Sequence, residues 1–141
     1  DVLKRIPVRE QDPSERIKNF EEVCYGYDLD EAKMEASRCI NCKNAKCIEG
    51  CPVSIDIPAF IKEVKEGNIE EAFHIISRFS ALPAVCGRVC PQETQCEQRC
   101  IRGIKGDPVS IGKLERFVAD WAREHGIKPE PPRKETAGRW Q

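Results

Sequence analysis

Apolar residues spaced three and four apart recur through most of this 141-residue chain, and strict alternation in twos is scarce. That is the period of helices rather than of half-buried strands. Asp12 and Pro13 offer an N-cap and a first-turn proline, and Ile17, Phe20 and Cys24 follow at helical spacing before Gly26. Asp28 opens a second pattern with Leu29, Ala32 and Ala36 on one side, and it delivers Cys39 at its end. Pro58 stands where a third begins, with Phe60, Ile61 and Val64 inward and Gly67 as the stop. Asn68 and Glu71 read as a capping box for a fourth over 69–79, whose apolar members are Ile69, Ala72, Phe73, Ile76 and Phe79; Pro83 ends it. The last runs from an N-cap at Ser110 to Gly126, burying Ile111, Leu114, Phe117, Val118 and Trp121, while Lys113, Arg116, Asp120 and Arg123 point away. The fold class expected is all-α, and every stripe is read as core.

After Gly126 the chain turns to Pro129-Glu130-Pro131-Pro132 and mixed charge without periodicity. Residues 1–126 therefore read as one domain and 127–141 as a stiff linker toward a further domain. Five Phe, two Trp and two Tyr are little aromatic material for its core. Bound metal can make up the difference, because binding to a site absent from the unfolded chain adds to folding free energy.

Charge removes some partners from consideration. Lys plus Arg number 23 against 24 Asp plus Glu, which leaves no basic footprint for nucleic acid. No run approaches the apolar length needed to cross a bilayer.

Nine cysteines decide the chemistry. An odd count, an opening Asp1-Val2-Leu3-Lys4 without a signal-like apolar run, and about a third charged residues weigh against a disulfide scaffold. A cytoplasmic location is expected. Cys39, Cys42, Cys47 and Cys51 before Pro52 spell C-x2-C-x4-C-x3-C-P, close to the ferredoxin run whose last cysteine ligates the other cluster. Cys86, Cys90 before Pro91, Cys96 and Cys100 form a second block. Cys39, Cys42 and Cys47 can take three corners of one cubane; Cys51 is directed to a second, and one late cysteine completes the first. This exchange of ligands would clasp the two blocks together. The simplest count spends all eight block cysteines, Cys86 included, and leaves Cys24 as a core thiol on the first helix.

The strings Ala36-Ser37-Arg38-Cys39-Ile40-Asn41-Cys42, Cys86-Gly87-Arg88-Val89-Cys90-Pro91 and Ile111-Gly112-Lys113-Leu114-Glu115 carry a resemblance, as does the opening Arg5-Ile6-Pro7-Val8-Arg9-Glu10-Gln11-Asp12-Pro13. The chain resembles the N-terminal Fe-S domain of the glutamate synthase small subunit. Related domains begin dihydropyrimidine dehydrogenase and the large subunit of the NADH-dependent ferredoxin:NADP oxidoreductase. The resemblance implies an alpha-helical ferredoxin with two 4Fe-4S clusters. One cluster would take Cys39, Cys42, Cys47 and Cys100. The other would take Cys51, Cys90, Cys96 and an oxygen ligand from the last helix, a position matched here by Glu115. Cys86 then becomes a non-ligand, against the simple count. On the helical wheel Glu115 falls beside Ile111, Val118 and Ala122 at the margin of the buried stripe, where a charge needs a partner. A surface carboxylate near a helix N-terminus is the plain alternative.

The function so implied is electron transfer within an NAD(P)H-dependent flavin oxidoreductase. FAD and NAD(P)H would bind in downstream domains of the same chain, and a large redox partner subunit would receive the electrons. No residue is assigned as catalytic: His74 and His125 lack a nucleophile partner, and no complete active site is expected within the 141 residues. Arg88, Arg99, Arg102 and Lys105 surround the second block, where they offset cluster charge, meet a partner or form a solvated face. The competing class is a zinc-stabilised protein-interaction module, since C-x2-C and C-x3-C pairs also suit tetrahedral zinc.

Overall fold

The computed structural model describes residues 1–129, so all but the first three residues of the linker expected over 127–141 lie outside the described residues. Within them the fold is helical except for one antiparallel ribbon, β1 (Arg9–Glu10) with β2 (Cys24–Gly26), which aligns Arg9 with Gly26 and Glu10 with Cys24. The helices are α1 (Pro13–Arg16), α2 (Leu29–Ala36), α3 (Lys46–Gly50), α4 (Ile57–Glu66), α5 (Ile69–Ser77), α6 (Pro83–Val89) and α7 (Ile111–Glu124). Between α6 and α7 the chain makes three 3-10 turns, Gln92–Thr94, Glu97–Arg99 and Ile101–Ile104. Among the described residues no helix is long and apolar enough to cross a membrane.

The best-patterned segments fold as their spacing dictates. Asp28 and Glu31 form a capping box for α2, with the Asp28 carboxylate accepting from the Glu31 amide at 2.8 Å. α4 opens under an Asp56 cap and closes at Gly67, whose φ of 86° requires the missing side chain. Phe60, Ile61 and Val64 from α4, Ile69, Ala72 and Ile76 from α5, and Leu114, Val118 and Ala122 from α7 close over Ala32 and Ala36 to form the core. α6 packs along α7 so closely that a Cβ on Gly87 would lie 2.7 Å from the Arg116 backbone nitrogen.

Several expectations are corrected. The first helix stops at Arg16; Ile17 and Phe20 are exposed, and Cys24 sits in β2, partly exposed rather than in the core. Lys18 turns back onto the Glu15 carbonyl, and the chain returns to pair with β1, so no stripe forms there. Asn68 stands at the N-cap of α5 without a side-chain cap bond; its amide donates to Glu63 Oε2 at 3.1 Å, while Glu71 faces Arg78 at 3.6 Å. Phe79 and Leu29 are largely exposed, and Trp121 is half-buried, its ring stacked 4.0 Å from that of His125. Pro83 does more than end α5: it begins α6, a helix the periodicity does not reveal.

Arg116, expected to face solvent, is buried. The ribbon covers that side of α7, and the Arg116 guanidinium donates to the Cys24 carbonyl at 2.6 Å and pairs with Glu22 at 3.2 Å. Arg88 joins the same network with two bonds to Asp120, at 3.0 and 2.7 Å, and one to Glu22 at 2.7 Å.

A second buried network holds the cysteine-bearing loops to the core. Glu35 is fully buried and accepts from the Ile6 amide, the Ser110 amide and Arg38 at 2.8, 2.9 and 2.6 Å. Arg38 in turn donates to the carbonyls of Val2, Asp107 and Pro108. Each charge is paired and hydrogen-bonded, the condition under which burial is tolerable. Glu97 plays the same part inside the second block, accepting from Arg5 at 2.7 Å and from the Gly112 amide at 3.2 Å.

Candidate metal centre

Two prolines set the corners of the site. Cys51 ends α3 and Cys90 ends α6, and each is extended (ψ 122° and 136°) because the following Pro52 or Pro91 forbids helical backbone. Cys96 leads into the turn Glu97–Arg99 and Cys100 leaves it. Between Cys39 and Cys42, Asn41 takes the left-handed conformation (φ 52°) that asparagine tolerates better than most residues. The backbones of the two blocks then meet: a Cβ on Gly50 would stand 2.6 Å from the Gln95 carbonyl oxygen.

This brings Cys39, Cys42, Cys47 and Cys100 around one cavity of about 390 Å³, whose apolar wall is Ile57, Pro58, Ile61, Val109 and Ile111. The Val109 amide points at Cys100 Sγ, 3.5 Å away, and the Asn41 amide at the Cys39 sulfur. Burial, and then the neighbouring thiols of Cys100 and Cys39, push the Cys47 thiol up to about 12. Burial also raises Cys39, with Cys100 and Cys42 adding to it. Thiols crowded this way cannot all ionise by themselves; a soft cation has to offset them.

Cys51, Cys90 and Cys96 lie close enough to Glu115 of α7 to interact as a second group. Burial first, then Cys86, Glu115 and Cys51, lift the Cys90 thiol to about 11. Burial followed by Glu97, Cys51 and Glu115 lifts Cys96 to about 12. Glu115 is 7% exposed, its Oε1 has no hydrogen-bond partner, and burial alone raises its carboxyl to about 7. A buried carboxylate oxygen without a donor costs free energy unless something external takes it. Cys86 lies against Cys90, with Ser80 Oγ 3.9 Å from its sulfur, so it neighbours this group as well.

None of the nine thiols is bonded to another. Among the described residues, no three His, Cys, Asp or Glu side chains close around a single-ion position. A zinc ion needs its four thiolates about 2.3 Å from one point. Cys39, Cys42, Cys47 and Cys100 instead line a cavity of about 390 Å³ with an apolar wall, and soft thiols so arranged fit a sulfide-bridged iron cluster. Periodicity does not single out Glu35, Arg38 and Glu97, which position these loops. A signal for Glu35 exists: it lies three residues after Ala32 and one before Ala36, on the inward face of α2.

Fold and donors together define a helical iron-sulfur domain. The family described as dihydropyrimidine dehydrogenase domain II, 4Fe-4S cluster, matches residues 16–127, and the chain belongs to it. UacF of Escherichia coli (strain K12) is 42% identical over 118 residues, 83% of this chain and 18% of its own length. The glutamate synthase [NADPH] small chain of Halomonas elongata is 39% identical over 130 residues, 89% of this chain and 28% of the relative. The NAD-dependent dihydropyrimidine dehydrogenase subunit PreT of Escherichia coli (strain K12) is 39% identical over 105 residues, 74% of this chain and 26% of the relative. The chain thus spans less than a third of the length of each of these proteins.

Proposed function

We propose that the chain carries two 4Fe-4S clusters, one held by Cys39, Cys42, Cys47 and Cys100, the other by Cys51, Cys90, Cys96 and Glu115. It would pass single electrons between FAD, bound with NAD(P)H by downstream domains of the same cytoplasmic polypeptide, and a large partner subunit, as a glutamate synthase small chain does. The observation that carries this reading is that each donor group draws on both cysteine blocks, with Cys100 among the early thiols and Cys51 among the late ones. Glutamate synthase is preferred to dihydropyrimidine dehydrogenase because its small chain aligns over more of this chain at equal identity.

Clusters of this kind supply one-electron transfer. The residues supply the rest. Ile57, Ile61 and Val109 give the early thiols an apolar wall, and the Asn41 and Val109 amides donate toward sulfur, an interaction that tunes reduction potential. Glu115 offers the late group a hard anionic donor with no competing partner.

Protein purified without oxygen should be brown, bleach with dithionite and contain about eight irons per chain, four for each cubane. A colourless protein with stoichiometric zinc would instead establish the interaction module, and about four irons per chain would leave only one of the two centres.

A further inference from the structure

We infer that the mouth of the Cys39, Cys42, Cys47 and Cys100 cavity is the docking face for a protein electron partner, one whose own redox centre lies beneath an apolar patch ringed by Asp and Glu. The inference rests on the electron-transfer reading above and names the partner's chemistry.

Three isoleucines at that mouth are turned to water: Ile40 is 51% exposed, Ile101 50% and Ile104 76%. Single exposed apolar side chains are ordinary, but three around one opening make a patch. Cations ring it. Lys46, Arg99 and Arg102 line the same cavity, and Lys62 and Lys65 line an adjoining one that shares Cys39, Pro58 and Ile61. Among the residues lining the two cavities the one carboxylate is Glu66, and Lys46 holds Glu49 at 3.1 Å. The whole chain has a net charge of −1, so this concentration of positive charge is local.

Cations that serve only to balance buried thiolates should themselves be anchored inward. Arg102 is of that kind, half-buried with Nε on the Arg38 carbonyl at 2.8 Å. Arg99, Lys62 and Lys65 are different: they are exposed, and their side chains have no hydrogen-bond or ion-pair partner among the described residues. An apolar centre inside a ring of free cations is the anatomy of an electrostatically steered encounter surface. The α6 side contrasts with it. There Leu82, Val85 and Val89 are exposed, but Arg88 is spent on Glu22 and Asp120. Electron transfer falls steeply with distance, and a partner seated over the isoleucines would lie over the cavity that holds the early thiols.

The test uses full-length, cluster-loaded protein and two probes of opposite charge, the acidic one-electron carrier flavodoxin and the basic cytochrome c. Calorimetric affinity and the second-order rate of electron transfer are both measured against ionic strength. Flavodoxin should bind and react best at low salt, and the double variant Lys62→Glu/Arg99→Glu should lower both readouts about tenfold, a modest share of the steering range. Cytochrome c should gain in the same variant. Iron content should not change, rates are compared at equal driving force because charge reversal beside Cys100 alters a cluster's potential, and Ile104→Ser should weaken flavodoxin at every salt concentration. Equal losses from Lys18→Glu in the α1 turn, or none from the rim variants, would overturn the docking face. So would a mouth that binds a second copy of the chain, or one closed to flavodoxin in the full-length protein. Iron-free wild-type protein would sink the electron-transfer reading itself, whereas iron-loaded protein indifferent to the rim would sink the docking face alone.

Discussion

Glu115 is the residue on which thiol chemistry and oxygen chemistry compete. Its buried Oε1 has no donor, an arrangement that native proteins keep only where a ligand, ion or water completes it. Cys86 is the rival, close enough to Cys90 to interact yet already facing the Ser80 hydroxyl. The two assignments separate by substitution. Glu115→Ala should shift the reduction potential or occupancy of one cluster and leave the other unchanged in redox titration. Cys86→Ser should retain full iron by elemental analysis; loss of about four irons, one cubane's worth, would hand the position to the thiol. Helical geometry alone brought Glu115 only to the margin of the buried stripe. α6 packs against α7 beside it, with Gly87 against the Arg116 backbone, a tertiary contact that no local pattern encodes.

Among the elements, α4, α5 and α7 were legible because their apolar residues repeat over at least two turns with a stop or cap at an end. The segment 13–24 has the same spacing but is helical only over Pro13–Arg16, since its stripe has nothing to pack against and Phe20 stays in water. α6 was hidden because a proline closes one helix as readily as it opens the next. Arg116 was misplaced because a helical wheel assumes one covered face, and α7 has a second cover in the β1–β2 ribbon. The cysteine blocks needed no such context, for their spacing and prolines act locally. Their contact is a matter of glycine. Gly50 has a backbone neighbour 2.6 Å from where its Cβ would be, whereas Gly103 would meet only Pro108 side-chain atoms at 3.5 Å or more. Gly50→Ala should therefore force the blocks apart, costing about 1–3 kcal/mol as overpacking does, and lower iron retention in both centres. Gly103→Ala, the same chemical change where the new Cβ makes only ordinary contacts, should retain wild-type iron and melting behaviour; equal losses from both would show that the close approach is not what matters.

At the scale of the whole molecule the chain divides by what holds it. Residues 57–77 and 111–124 carry most of the fully buried apolar side chains, while 90–106 has short 3-10 turns and few buried ones. The second region is tied to the rest by Glu97, which pairs with Arg5 and accepts from the Gly112 amide, by the Arg102 bond to the Arg38 carbonyl, and by whatever the thiols bind. Ion pairs alone are weak cement, because each has its own desolvation cost to overcome. Metal binding, by contrast, adds directly to folding free energy where the unfolded chain has no site. Stripping the iron with an oxidant and chelator should accordingly speed amide hydrogen exchange across 39–51 and 90–106, and leave 57–77 and 111–124 protected. The stripped thiols also lose the cations that allow them to ionise together, so reloading should require iron, sulfide and reductant supplied at once, and protection should return in both blocks in parallel. Exchange that rises in one block while the other stays protected would mean that each block keeps a metal of its own, and the exchange of ligands between them would have to be given up.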